Sequence, residues 1–241
     1  MAKFKWIASG KTDIGQKRTN NQDSILVNPE LGLFAVADGM GGHSGGEVAS
    51  SMSIKTLEHA FKNKSATKLS VPDLLEKSIV ECNNVIYDKS QENEGLRGMG
   101  TTLTAAKIDN DCLFIGQVGD SRLYLFRDKN LYQITEDHSQ VYELLKAGLI
   151  NEDSMEGFQK NIITRSVGYE RNVSVDSFQR PLKKGDRYLI CSDGLSGMVN
   201  DQQISQILHN FEIEQSVQNL VALANAQGGE DNVSVIVIDI K

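Results

Sequence analysis

Three apolar, strand-like runs in this chain end in an aspartate followed by a small residue, and a fourth aspartate stands just before another such run. Residues 33–37 lead into Asp38-Gly39, residues 113–119 into Asp120-Ser121, and residues 188–192 into Asp193-Gly194, while Asp231-Asn232 opens the run 233–238. Taken singly, an Asp-Gly after a strand is most often a turn. Repeated at strand ends, such carboxylates can converge on one edge of a folded sheet, and anions gathered there need cations between them. Oxygen donors of this kind suit Mg²⁺ or Mn²⁺.

The 241 residues can bury a full core, and no linker or low-complexity segment divides them, so we expect a single domain over residues 1–241. The net charge, 25 basic against 32 acidic residues, is −7, with no basic stripe, which argues against a nucleic-acid partner. Bound divalent cations would neutralise part of that charge. No run of 18 apolar residues is present, so membrane insertion is not expected. The first six residues lack the apolar core of a signal peptide. Cys82, Cys112 and Cys191 are odd in number and read as buried free thiols. A cytoplasmic protein is expected.

Strand patterns cover residues 4–9, 24–28, 33–37, 102–108, 113–118, 123–126, 131–134, 173–178, 188–192 and 233–239. Polar turn signals at 109–111 and 128–130 point to antiparallel hairpins. Amphipathic helices are predicted from Val48, Met52, Leu57 and Phe61, and from Leu75, Ile79, Cys82 and Ile86 after Pro72. Two more follow from Ile204, Ile207, Leu208 and Phe211, and from Val217, Leu220, Val221 and Ala224. The expected class is α+β: a central sandwich of two antiparallel sheets flanked by helix pairs, with the metal centre at one edge.

Several chemistries are excluded. Gly10-Lys11-Thr12 resembles the end of a P-loop, but the loop's first glycine would fall on Lys5. No cysteine has an arginine six residues on, so a thiolate phosphatase loop is absent; Asp88, Val118 and Gly197 hold those places. The four histidines make no zinc pattern, and Leu113 breaks an EF-hand reading of Asp109-x-Asp111. Arg18 and Asp23 share a short loop, and an arginine fork can hold two phosphate oxygens at once.

Together the motifs resemble a known family. Arg18, Asn21-Gln22-Asp23, residues 38–43, Gly100-Thr101-Thr102, residues 118–122, 135–139 and 164–168, residues 192–195 and residues 228–232 follow the motif order of the bacterial metal-dependent protein serine/threonine phosphatases, type 2C. The resemblance runs from about Gly15 to Ile238. Any one motif is weak, but the ordered set is specific. It implies a Mn²⁺- or Mg²⁺-dependent enzyme that hydrolyses phosphoserine and phosphothreonine monoesters through a metal-bridging water or hydroxide, without a covalent intermediate.

By that resemblance, Asp38 would bridge two core ions, Gly39 would lend one its carbonyl, and Asp193 and Asp231 would bind the other. Asp120, with Asp193, would hold a third, weaker ion. Asp23 would act by holding metal-bound water, Arg18 would clamp the substrate phosphate, and His43 matches a general acid for the leaving alkoxide. Residues 141–163 correspond to a flap beside the site, with Gly157-Phe158 where a His-Pro pair is common. Asp137-His138-Ser139 is expected to be structural. Phosphoproteins, and a Ser/Thr kinase whose action is reversed, are the implied partners of an expected monomer. A silent phosphoprotein-binding module, or an enzyme dedicated to one phosphoprotein or a small phosphate ester, are the competing readings; intact Asp38, Asp193 and Asp231 argue against the first.

Overall fold

Successive side chains of strand β3 (Leu33–Met40) enter different cores, because a strand turns alternate residues to opposite faces. Leu33, Ala35 and Ala37 pack with Leu57, Leu75, Ile79 and Ile86 from helices α1 (Gly45–Lys62) and α2 (Val71–Glu92). Phe34 and Val36 instead meet Ile115, Leu123, Ile190 and Ile236 in a core between two sheets. Strand β11 (Val233–Ile240) divides the same way. Val233, Val235 and Val237 lie against α5 (Asp201–Asn210) and α6 (Ile213–Ala226), while Ile236, Ile238 and Ile240 enter the space between the sheets. The computed structural model, which describes residues 4–41, 45–64, 68–151 and 162–241, therefore has four layers: helices, sheet, sheet, helices.

One sheet runs β1 (Trp6–Asp13), β11, β10 (Arg187–Cys191), β7 (Arg122–Arg127), β8 (Asn130–Gln133). The other runs β2 (Asp23–Asn28), β3, β5 (Leu103–Asp109), β6 (Cys112–Val118), β9 (Asp176–Pro181), with the two-residue β4 (Gly100–Thr101) beside the end of β3. All their pairings are antiparallel, as the close strand spacing requires. Asp128 and Lys129 both take positive φ between paired Arg127 and Asn130, the twist-matched geometry of a two-residue hairpin. Pro72 sits in the first turn of α2 behind the N-cap Ser70.

Every strand that the sequence predicts is present. The eighth is displaced, beginning at Asp176 and not at residue 173, because Val173 and Val175 are half-buried against the helix-side core before the ladder with β6 begins. Phe211 departs from its expected helix face: it is the C-cap of α5 and is exposed. All three thiols are free, but Cys112 is only half-buried, since it stands beside a hairpin tip opposite Asp109. A short helix, α3 (Gln140–Lys146), opens the segment read as a flap, and Gly148 follows it with φ of +69°.

Candidate metal centre

The alternation that fills the space between the sheets also delivers carboxylates to its end. Continuing the even-numbered series of β3 past Phe34 and Val36 reaches Asp38. Its register partner on β2 is Asp23, in step with the inward-facing Ile25 and Val27. The same face carries hydroxyls just below: Thr102, Thr104, Ser121, Ser192 and Ser234, all buried. Ser192 Oγ donates to Asp23 at 2.8 Å, Thr102 and Ser121 share a 2.8 Å hydrogen bond, and Ser234 meets Thr12 at 2.8 Å. The sandwich interior thus passes from aliphatic to hydroxyl to carboxylate towards one edge.

At that edge lies a cavity of about 850 Å³ lined by Arg18, Asp38, Gly39, Asp120, Asp193 and Asp231, among others. The structure thus brings together the residues that the sequence nominated, with Asp23 buried behind them. His43 lies outside the described residues, as do residues 152–161 of the expected flap, Gly157-Phe158 included.

Each carboxylate is placed by local packing. The backbone of Asp38 is fixed by Thr102, whose hydroxyl accepts its N–H at 2.9 Å and whose own N–H donates to its carbonyl at 2.8 Å. A β-carbon on Gly39 would lie 2.1 Å from the Gly46 carbonyl oxygen, so glycine here lets the start of α1 close against the end of β3. Asp193 opens the short helix α4 (Asp193–Ser196) directly after β10, and Gly194 admits the Asn232 carbonyl where a β-carbon would stand 2.0 Å from it. Asn232, part of the 228–232 motif but given no role by the sequence, ties the parts together. Its amide donates to the carbonyls of Ile14 and Asn20, and its Oδ1 accepts the Gln22 N–H, so it holds the Arg18 loop against Asp231. Glu47, in the first turn of α1, also lines the cavity and was missed, because nothing in its spacing separates it from an ordinary helix-start acid.

The electrostatics are those of anions held together. Burial, then repulsion from Asp23, Asp193 and Asp120, pushes the Asp38 carboxyl well above its ordinary value. Burial, then Asp193 and Asp231, raise Asp23 to about 7 against the donation from Ser192. Asp120 is likewise raised to about 7 by burial and then Asp193, and Asp193 is raised by burial and then Asp231. Asp23 Oδ1 and Asp193 Oδ1 are buried and have no hydrogen-bond partner. Arg18 answers part of this charge through a 2.6 Å hydrogen bond from Nη2 to Asp231 Oδ2.

Orphaned buried oxygens and crowded carboxylates fit hard divalent cations. Among the described residues, no group of three or more His, Cys, Asp or Glu side chains is arranged to hold an ion by itself. Mg²⁺ is commonly bound through only one or two carboxylates with water completing its shell, so a centre here would be an open one.

A family model described as protein phosphatase 2C matches residues 11–232. The chain belongs to that family. It is 40% identical over 239 residues to the serine/threonine phosphatase stp of Listeria monocytogenes serotype 4b, a match spanning 96% of this chain and 95% of the relative. Among solved structures it is similar to the Mycobacterium tuberculosis serine/threonine phosphatase PstP/Ppp, with a TM-score of 0.90, 37% identity, and coverage of 97% of this chain and 98% of that one. The catalytic domain of PstP in complex with two manganese ions superposes with the same TM-score of 0.90 at 36% identity, over 98% of this chain and 99% of the other. The two-sheet sandwich with its helices is thus the fold of this phosphatase family.

Proposed function

We propose that the chain is a metal-dependent protein phosphatase whose domain, spanning residues 1–241, hydrolyses phosphoserine and phosphothreonine monoesters at the acidic edge cavity. The observation that carries this reading is the convergence of Asp38, Asp120, Asp193 and Asp231 with Arg18 on one cavity, in a chain of the type 2C family. Asp38, the Gly39 carbonyl, Asp193 and Asp231 would hold two Mn²⁺ or Mg²⁺ ions, and Asp120 with Asp193 a third. Two such ions supply an activated water and neutralise charge on the phosphoryl oxygens. Asp23, buried and fixed by Ser192, would hold and orient a water at the floor of the centre. Arg18, at the rim, would turn its guanidinium from Asp231 to the phosphate, where a planar fork matches two oxygens. His43 would give its proton to the departing alkoxide.

Polypeptide substrates are favoured over small esters by the surroundings of the cavity. A second groove, of about 950 Å³, adjoins it, and Met40 and Ile163 line both. Such a groove suits a chain flanking the phosphorylated residue. The biological counterpart would be a Ser/Thr kinase of the same cell, with the phosphatase acting there as a cytoplasmic monomer.

The deciding experiment incubates the protein with a phosphothreonine peptide and Mn²⁺, with or without chelator, beside Asp193→Asn and Asp231→Asn. Each substitution should reduce turnover by more than the ~10–100-fold typical of residues that only support a metal ligand. Hydrolysis indifferent to chelator, or surviving both changes, would overturn the two-ion reading. Stoichiometric binding without turnover would favour a silent module.

A further inference from the structure

β6 ends at Val118, the last residue of its ladder with β5, yet the next peptide is not left to water. The N–H of Gly119 donates to Nδ1 of His138 at 3.0 Å, and the N–H of His138 donates back to the Gly119 carbonyl at 3.1 Å. A side chain and a main chain from elsewhere therefore imitate one more rung of the sheet. Gly119 takes φ of +104°, and a β-carbon there would stand 2.6 Å from the Thr102 side chain. This turn aims the following residue, Asp120, into the acidic cavity. On the other side of Asp120, Ser121 is held through its hydroxyl by Thr102 and through its carbonyl by Thr104 Oγ1 at 2.7 Å.

The far side of the imidazole is equally engaged. Because Nδ1 accepts, the proton of the neutral ring lies on Nε2, 3.1 Å from Asp176 Oδ2. Asp176 is in turn held at 2.6 Å by Arg165, whose same Nη1 stands 3.1 Å from Nε2 and, with Nε2 protonated, donates to Asp176 and not to the ring. The His138 carbonyl accepts the Thr164 N–H at 2.9 Å, beside the bridge between Ser139 and Ile163. The two stems of the 141–163 segment therefore meet at His138. The ring is buried, and its two nitrogens are engaged in opposite directions.

We propose that His138 is a positioning residue for Asp120: it clamps Gly119, fixes the carboxylate in the metal cavity, and joins that carboxylate to the stem of the 141–163 segment. This rests on the reading of Asp120 as the ligand of a third, weaker ion. Residues that orient a metal ligand typically change metal affinity by ~10–100-fold when replaced, and His138 should behave so without touching the ion.

Mn²⁺ binding to the full chain is followed by calorimetry, in the absence of substrate, for the wild type, His138→Phe, His138→Asn, Asp120→Asn and the His138→Phe/Asp120→Asn pair. Asp120→Asn should abolish the weakest binding event. His138→Phe should weaken that event by about 10–100-fold, while His138→Asn, whose Oδ1 can stand in for Nδ1 towards Gly119, should restore it to within about threefold. In the Asp120→Asn background the change at His138 should have no further effect on Mn²⁺ binding. Loss of the event in Asp120→Asn but not in His138→Phe would overturn the positioning role alone. An Asp120→Asn protein that binds Mn²⁺ as the wild type does would overturn the reading of Asp120 and the inference with it. Should His138→Phe not fold, Asp176→Ala, which removes the acceptor of the Nε2 proton and leaves the ring edge facing Arg165 alone, should weaken the same event in the same direction, and an unchanged event would count against the proposal.

Discussion

At the scale of single residues, the site depends as much on what is missing from a side chain as on what is present. Gly39 and Gly46 lie back to back, so a methyl group at 39 must displace main chain where it has no room to move. Overpacking of this kind costs about 1–3 kcal/mol or more. Gly39→Ala should lower stability by at least that in urea unfolding and weaken Mn²⁺ binding, since the end of β3 and the start of α1 shift together. His43 makes a chemical prediction independent of its placement. His43→Ala should slow a phosphothreonine peptide, with its poor alkoxide leaving group, far more than an activated aryl phosphate. Equal losses on both would remove the general-acid role. The metal-site carboxylates were legible in the sequence because each stands at one end or the other of an apolar run, where the pattern itself breaks. The roles of Asn232 and Glu47 were not. Asn232 acts through main-chain groups of residues 14–22, more than 200 positions away, and no local pattern carries that relation.

At the scale of elements, the strands and long helices follow directly from periodicity, because each has one face in a core. What periodicity misplaced was the start of β9, where burial under the helices imitates a strand before any ladder exists. The far end of the first sheet bears a separate electrostatic prediction. Asp239 on β11 is gripped by the guanidinium of Arg187 on β10 and by Lys241. Burial alone would raise its carboxyl, yet Arg187 and Lys241 outweigh burial and hold it below its ordinary value. A carboxyl lowered by folding adds stability above its unfolded pKa of roughly 3.9, and that stability is lost as pH falls through the lower folded value. Wild type and Asp239→Asn should therefore differ most in unfolding free energy above about pH 4 and converge below it. A gap that stays constant to pH 2 would show that the pair contributes through packing only.

At the scale of the whole molecule, two sheets and two helix pairs concentrate anionic charge at one edge of the sandwich, and folding relieves that repulsion only in part, through Arg18 and the hydroxyls. Cations that bind only the folded state stabilise it by about 2.7 kcal/mol per site at a hundredfold excess over Kd. Mn²⁺ should accordingly raise the melting temperature of the wild type, chelator should reverse the rise, and Asp193→Asn should show a much smaller one. The same geometry bears on how the chain finds its fold. Asp23 and Asp38 face each other on one rung between β2 and β3, and a slip of one residue reverses every side chain of a strand. Slipped, β2 would turn Leu26 into the core between the sheets and the Asp23 carboxylate to the helix-side face, where Ser24 now meets Ser50 of α1. A charge trapped in that layer is far costlier than a misplaced methyl group. The carboxylates of the proposed centre thus also proofread the pairing of their own strands, and a molecule with the wrong register is penalised by the same groups that are proposed to hold its ions.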